Sequence, residues 1–176
     1  MIVALTGTPG SGKTTVAKEL EARGSKVIHL HSLLEEEGLL SEYDEEHDSY
    51  NVDLEEASEA ILPLFESEMT VILESHLSHL LPCDMIIVLR CSPSTIKERL
   101  TSRGYDDAKI FENMEAEALD VILVESVETG RRCHELDCSN LSPNEVAAVV
   151  LGLIEGTVEG YFPGRVDWSE ELIQWC

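Results

Sequence analysis

The sequence predicts an α/β fold in which one parallel, five-stranded sheet carries helices on both faces, giving three layers. Two observations support this: short apolar runs alternate with segments of helical periodicity, and the 176 residues suffice for one domain with a single core. Strands that alternate with helices need crossover connections, and such connections make the strands parallel. We therefore expect residues 1–176 to form a single domain.

In the amino-terminal half, Ile2–Thr6 is an apolar, partly β-branched run that ends at Gly7, as a buried parallel strand does. Residues 41–52 are polar and acidic without a clean period, so we expect a loop there. The other predicted elements are helices at 13–23, 31–37 and 53–67 and strands at 26–30 and 69–73.

In the carboxyl-terminal half, Met85–Leu89 is the most strand-like run of the chain. Pro143 is suited to the first turn of a helix that runs to about Ile154. The tail at 157–176 contains two tryptophans and is expected to dock on the body. The remaining predicted elements are helices at 93–103 and 107–129 and a last strand at 132–138.

The charge balance is strongly acidic: 35 Asp and Glu face 12 Lys and Arg, a formal net charge of −23. Such a surface repels the phosphates of nucleic acids, so tight direct binding of RNA or DNA is not expected. Adaptation to a salty cytoplasm and binding of a basic protein partner both fit this charge, and composition does not decide between them.

Cysteine usage indicates a reducing compartment. The five cysteines form no C-x-x-C pair, which favours free thiols in the cytoplasm. The first residues lack a basic stretch followed by a long apolar run, and no apolar run reaches the roughly 20 residues of a membrane helix. We therefore expect a cytoplasmic protein with neither signal peptide nor membrane contact.

The segment from Gly7 to Thr14 reads Gly-Thr-Pro-Gly-Ser-Gly-Lys-Thr and fits the phosphate-loop pattern G-x4-G-K-[ST]. It follows a predicted strand and precedes a predicted helix. Glycines let backbone N–H groups point at an anion, and the helix N-terminus adds its dipole. The pattern predicts a P-loop NTPase fold that binds the phosphates of a nucleotide, ATP in our interpretation, but by itself it does not distinguish a kinase from a GTPase or a motor. The expected contacts are Gly10, Ser11, Gly12, Lys13, Thr14 and Thr15.

Chemical roles follow for several side chains. Lys13 would contact the β and γ phosphates, and the Thr14 hydroxyl would ligate Mg²⁺. Glu74 directly follows the strand at 69–73 and would hold Mg²⁺ through a water. His76 would orient the attacking water or the acceptor, or it is a hydrogen-bonded loop histidine. The other histidines considered, His29, His31 and His79, are interpreted as structural.

Arg99 and Arg103 are four residues apart in a predicted helix and therefore project from one face. Paired guanidinium groups stabilise the charge of a transferring phosphoryl group, although two solvated arginines would look the same in sequence. The chain has no N-K-x-D run for guanine recognition and is short for a large ATPase module. A kinase of a nucleotide or of another small molecule is favoured.

Taken together, several segments resemble the adenylate kinase isoenzyme six family. Its members are P-loop nucleoside monophosphate kinases, and they include archaeal proteins named "Putative adenylate kinase". They cover most of the chain, and the Arg-Gly-Tyr block with Lys-Ile-x-Glu-Asn is the most specific. The segments are GTPGSGKTT (7–15), ESHLSH (74–79), IVLRCSP (87–93), ERLTSRGY (98–105), KIFEN (109–113) and VDW (166–168).

The resemblance implies a segment for the nucleoside monophosphate near 30–53 and a short lid near 102–112, with Arg103 touching ATP. It also implies the reaction ATP + AMP ⇌ 2 ADP with Mg²⁺, often beside ATPase activity. Members of this family are linked to small-subunit ribosomal RNA maturation through a basic ribosomal protein. Glu74 stands where members often have aspartate, which leaves the balance of kinase and ATPase activity open.

Two alternatives remain at this point: a ribosome assembly factor switched by ATP, and a kinase of a non-nucleotide small molecule. Segment 30–53 has no Lys or Arg, although an acceptor phosphate needs cationic contacts. Those contacts would come from the backbone or from arginines elsewhere in the chain, namely Arg90, Arg99, Arg103, Arg131 or Arg132.

Overall fold

The computed structural model describes residues 1–44, 49–66 and 69–173. Its strands are β1 (Ile2–Thr6), β2 (Lys26–His29), β3 (Leu40–Asp44), β4 (Ser49–Val52), β5 (Val71–Glu74), β6 (Met85–Arg90) and β7 (Arg132–Asp137). Its helices are α1 (Lys13–Ala22), α2 (Leu30–Glu36), α3 (Leu54–Ile61), α4 (Pro93–Ser102), α5 (Asp107–Ala118), α6 (Val121–Glu128), α7 (Pro143–Glu155) and α8 (Ser169–Ile173).

The central sheet has five strands in the order β2-β5-β1-β6-β7, and every neighbouring pair is parallel. This confirms the predicted fold class. Strand β1 lies in the middle, with Ala4 opposite Leu73 of β5 and Ile86 of β6. Because the strands are parallel, the carboxyl ends of β1, β5 and β6 meet at one edge of the sheet, where the phosphate loop begins.

Alternate residues of β1 serve two separate apolar cores, which is why helices cover both faces. Val3 and Leu5 pack in the core that holds residues of α1 and α7. Ile2 and Ala4 pack in the core that holds residues of α2, α3 and α6. Among the helices of the described residues, none has both the length and the apolar character that crossing a bilayer requires.

Two predicted helices are wrong in extent. The helix expected at 107–129 is two helices, because Asp120 adopts a left-handed conformation (φ 58°) between α5 and α6. The helix expected at 53–67 ends at Ile61 and continues as a 3₁₀ turn, Leu62–Glu66, that contains Pro63. Proline lacks the N–H group that an α-helix needs at this point. Residue 67 lies outside the described residues.

The loop expected at 41–52 is also wrong, because β3 and β4 form an antiparallel pair with Tyr43 opposite Tyr50. Aromatic residues favour strands, and the surrounding acidic residues hide this preference from a periodicity argument. Residues 45–48 lie outside the described residues.

The tail docks on β7 as expected. The Glu135 N–H donates to the Tyr161 carbonyl (3.0 Å), and the Arg165 N–H donates to Glu135 Oε2 (2.8 Å). Helix α8 follows, and residues 174–176 lie outside the described part of the chain.

A substitution at Gly7 tests how closely the phosphate loop approaches β6. Gly7 has φ +142°, and a Cβ there would lie 2.3 Å from the Leu89 carbonyl oxygen. We expect Gly7→Ala to lower the free energy of unfolding by about 3 kcal/mol or more in urea denaturation.

The matched control is Gly24→Ala, since Gly24 also has a positive φ (+88°) but no atom lies within 4 Å of its added Cβ. This control should lose only the strain of a left-handed residue, about 1–2 kcal/mol. Equal losses in the two variants would contradict the close approach.

Candidate active site

The phosphate loop joins β1 to α1 and is shaped by glycines with positive φ: Gly7 (142°), Gly10 (92°) and Gly12 (104°). Gly12 is the N-cap of α1, and no side chain caps this helix. The Ser11 hydroxyl is buried and has no hydrogen-bond partner among the described residues. An uncapped helix end with a buried, unsatisfied hydroxyl fits an anion such as a phosphate group.

Lys13 is buried and lies over its own loop. Its Nζ donates to the carbonyls of Gly7 (2.7 Å) and Thr8 (3.1 Å). Burial lowers the pKa of Lys13 to about 8, and this effect is opposed by the nearby carboxylates of Glu74 and Glu117. An anion bound at the loop would therefore stabilise the charged form of this buried amino group.

Thr14 and Glu74, the predicted magnesium ligands, are in contact. Thr14 Oγ1 donates to Glu74 Oε1 (3.2 Å). The other carboxylate oxygen lies 2.7 Å from Nδ1 of His29, at the end of β2. Sequence reasoning missed this role of His29, because β2 and β5 are distant in the chain and become neighbours only in the sheet.

A hydroxyl and a carboxylate are ligands that Mg²⁺ prefers, so these residues fit that ion. Among the described residues, no group of three or more His, Cys, Asp or Glu could hold a metal. Mg²⁺ commonly takes one or two carboxylates from the protein and completes its shell with water and substrate phosphates.

His76 lines the wall of a cavity and is exposed there, while the neighbouring protein partly desolvates its ring. This desolvation, together with the charge of Lys13, lowers the pKa of His76 to about 4, so its ring is neutral at neutral pH. His79 is buried instead, with ring nitrogens 3.0 Å from Thr6 Oγ1 and 2.9 Å from Glu125 Oε2. It is structural, as the sequence analysis expected.

The cavity has a volume of about 490 Å³ and opens between the phosphate loop and the α4–α5 connection. One wall comes from the sheet edge and carries the Lys13, Thr14, Glu74 and His76 of the sequence prediction. The other wall comes from the end of α4 and from α5. Its polar residues are Arg103, Tyr105, Lys109, Glu112 and Asn113.

A smaller cavity of about 150 Å³ lies on the other side of the loop and brings Arg99 and Arg103 together with Ser11 and Thr15. Arg99 Nη1 donates to the Gly10 carbonyl (2.9 Å), so this arginine also supports the loop. Arg103 lines both cavities. The predicted arginine pair is thus assembled beside the phosphate loop.

Other arginines named for the acceptor phosphate are engaged elsewhere. Arg90 is buried against carboxylates, as described below, and Arg131 Nη1 donates to the carbonyls of His79 (3.2 Å) and Leu81 (3.0 Å). Arg132 Nε donates to His134. Lys109 lines the large cavity instead, 3.0 Å from Glu112.

In the sequence, Lys109 stands out only as part of the block at 109–113. The resemblance of that block was the signal that could have identified Lys109. The predicted lid, 102–112, comprises the end of α4, a turn and the start of α5. The role of this lid stays a prediction, and so does the role of segment 30–53. One residue of that segment, His31, lines the large cavity.

Comparisons with known proteins agree with this description. A protein-family model described as "AAA domain" matches residues 3–120. The chain is 43% identical over 175 residues to an Archaeoglobus fulgidus protein named "Putative adenylate kinase", covering 98% of this chain and 94% of that protein. It is 43% identical over 176 residues to the Methanocaldococcus jannaschii protein of the same name, covering 99% and 97%.

Solved structures show the fold. A shikimate kinase from Acinetobacter baumannii, in complex with shikimate, has a TM-score of 0.61 at 14% identity, over 90% of this chain and 95% of that one. The YorR protein of Bacillus subtilis, in complex with phosphorylated GDP, has a TM-score of 0.60 at 19% identity, over 91% and 100%. The chain has a P-loop kinase fold and belongs to the family of the archaeal proteins named "Putative adenylate kinase".

Proposed function

We propose that this protein is an adenylate kinase that transfers the terminal phosphoryl group of ATP to AMP in the presence of Mg²⁺. The observation that carries the proposal is the large cavity, in which the phosphate loop faces a second set of polar and cationic side chains. The name of the relatives supports the same reaction. A donor phosphate on the loop and an acceptor in the rest of the cavity would meet there.

Each group has a role in this proposal. Lys13 would place its charge beside the β and γ phosphates, with Ser11 and the loop backbone donating to them. Arg99 and Arg103 would face the nucleotide from α4, with Thr15 on the same side of the loop. Thr14 would hold Mg²⁺ directly and Glu74 would hold it through a water. When bound, the ion would neutralise charge on the transferring group.

The acceptor phosphate needs cations that segment 30–53 does not supply. Arg103 and Lys109 line the large cavity, and they are the side chains we assign to this contact. His76 is neutral there and would orient the acceptor or a water by hydrogen bonding. Positioning and electrostatics carry most of phosphoryl transfer, so no covalent intermediate is required.

Closure of the lid at 102–112 would keep water away from the phosphoryl group. Exclusion of water favours transfer to AMP over hydrolysis, so incomplete closure would appear as ATPase activity.

A second candidate function is favoured by the formal charge of −23, which suits a basic protein partner. In this function, ATP binding would switch contact with a basic small-subunit ribosomal protein during ribosomal RNA maturation. Pull-down of basic ribosomal proteins in low salt tests it, with and without ATP. Recovery of none would count against this role and leave the kinase proposal intact.

Substitution of Lys13 tests the kinase proposal. We expect Lys13→Ala to lower phosphoryl transfer by about 10²–10³-fold, because a buried cation next to the phosphates is lost. The measurement is a coupled assay of ADP formation with AMP, CMP, UMP, GMP, dAMP or no acceptor.

The control is Lys18→Ala, which removes an exposed lysine of the same helix and should retain activity. Full transfer by Lys13→Ala would refute the assignment. Equal ADP formation with and without AMP would indicate an ATPase instead.

The pH dependence of kcat/KM for ATP tests the state of Lys13 in the free protein. Lys13 acts as a cation and its pKa is lowered to about 8, so kcat/KM should fall as the pH rises through about 8. His76, with a pKa of about 4, should add no step near neutral pH. A kcat/KM that stays constant well above pH 8 would contradict this reading.

A further inference from the structure

Glu117 on α5 is a buried carboxylate, 2% exposed, that contacts three distant parts of the chain. Its Oε1 accepts from Arg90 Nε (2.6 Å), from the Cys91 N–H (3.3 Å) and from Trp168 Nε1 of the tail (3.3 Å). Its Oε2 accepts from Thr8 Oγ1 in the phosphate loop. Nothing in the phosphoryl transfer proposed above uses these contacts.

Arg90 explains how two buried carboxylates persist here. It is 1% exposed, and its Nη1 donates to Glu135 Oε1 at 2.6 Å, the same distance at which its Nε meets Glu117. Its Nη2 donates to Asp120 and to the Glu117 carbonyl. Buried carboxylates persist only with charged or hydrogen-bonding partners, and here one guanidinium hydrogen-bonds both buried carboxylates and Asp120.

Thr8 is the point at which this network reaches the phosphate loop. Its carbonyl accepts from Lys13 Nζ (3.1 Å) and from the Ser11 N–H (3.0 Å), while its hydroxyl is held by Glu117. Fixing the Thr8 side chain therefore fixes the backbone that orients both Lys13 and Ser11. Thr8 is almost fully buried, so its hydroxyl has little access to water as a substitute acceptor.

The carboxyl-terminal tail completes the network from the opposite side. The Trp168 indole donates to Glu117, and the N–H groups of Arg165 and Val166 donate to Glu135 Oε2. One carboxylate oxygen of Glu117 thus accepts a hydrogen bond from the loop, and the other accepts hydrogen bonds from both the tail and Arg90. A change in the loop has a direct hydrogen-bonded path to the indole.

We infer that Glu117 is a positioning residue for nucleotide binding: anchored by Arg90 and Trp168, it holds Thr8 so that the phosphate loop is preorganised for the phosphates of ATP. This inference rests on the proposed binding of ATP to the loop. It assigns Glu117 no contact with the nucleotide.

The test compares Glu117→Gln with Glu135→Gln. Both variants remove a buried carboxylate that lies 2.6 Å from Arg90, but only Glu117 touches the loop. We expect Glu117→Gln to weaken binding of ATP with Mg²⁺ by about tenfold in calorimetry and to raise KM for ATP more than it lowers kcat. Glu135→Gln should bind ATP like the wild type despite a comparable fall in melting temperature.

If Glu117→Gln does not fold, Thr8→Val tests the same hydrogen bond from the loop side and should weaken binding similarly. Unchanged affinity in the folded variant, or equal weakening in Glu135→Gln, would overturn the inference. A wild-type protein that fails to bind ATP would instead remove the proposed function, and the inference with it.

Tryptophan fluorescence gives a readout that a purely structural role would not change. Trp175→Phe leaves Trp168 as the single tryptophan of the chain. ATP should change Trp168 emission in this background, and adding Thr8→Val should abolish the change at saturating ATP. A response that survives Thr8→Val would show that the loop and the indole are not linked through Glu117.

Discussion

The close approach of the phosphate loop to strand β6 is the constraint on which the site depends. The Gly7 backbone lies so near the Leu89 carbonyl that a Cβ would come within 2.3 Å of it. The chain can turn there only without a side chain, and the turn directs the loop across the carboxyl edge of the sheet. That edge is where β5 delivers Glu74 and where β6 leads to Cys91 and α4. This contact between two backbones thus fixes where the phosphate loop lies relative to the edge of the sheet.

Charge adds a second constraint. A surface with a formal charge of −23 repels a triphosphate at a distance, and salt only screens this repulsion. Affinity for ATP must therefore come from short-range contacts inside the cavity. Lys13, Arg103 and Lys109 line this cavity, and burial strengthens the attraction of Lys13 for an anion. An acidic exterior and a locally cationic cavity are compatible because they act over different distances.

The sequence was most informative where a local rule specifies a local structure. Ile2–Thr6 followed by Gly7–Thr14 predicted both the central strand and the loop, since strand, glycine turn and helix are adjacent in the chain. Contacts between distant segments were not predictable in this way. The His29–Glu74 contact depends on β2 pairing with β5, and the break at Asp120 coincides with its ion pair to buried Arg90. The β3–β4 pair was hidden because acidic residues obscure its strand preference.

Glu74 shows how such a distant contact bears on chemistry. Glutamate has one more methylene than the aspartate that the family resemblance leads us to expect at this position, and a longer side chain normally has more freedom. Here one carboxylate oxygen accepts from Thr14 and the other lies 2.7 Å from His29, so both ends of the carboxylate are held. His29 Nε2 in turn lies 3.6 Å from Glu21 of α1, which favours one orientation of the ring. The added length of Glu74 is thereby restrained by neighbours from β2 and α1, and its carboxylate remains directed at the Thr14 hydroxyl.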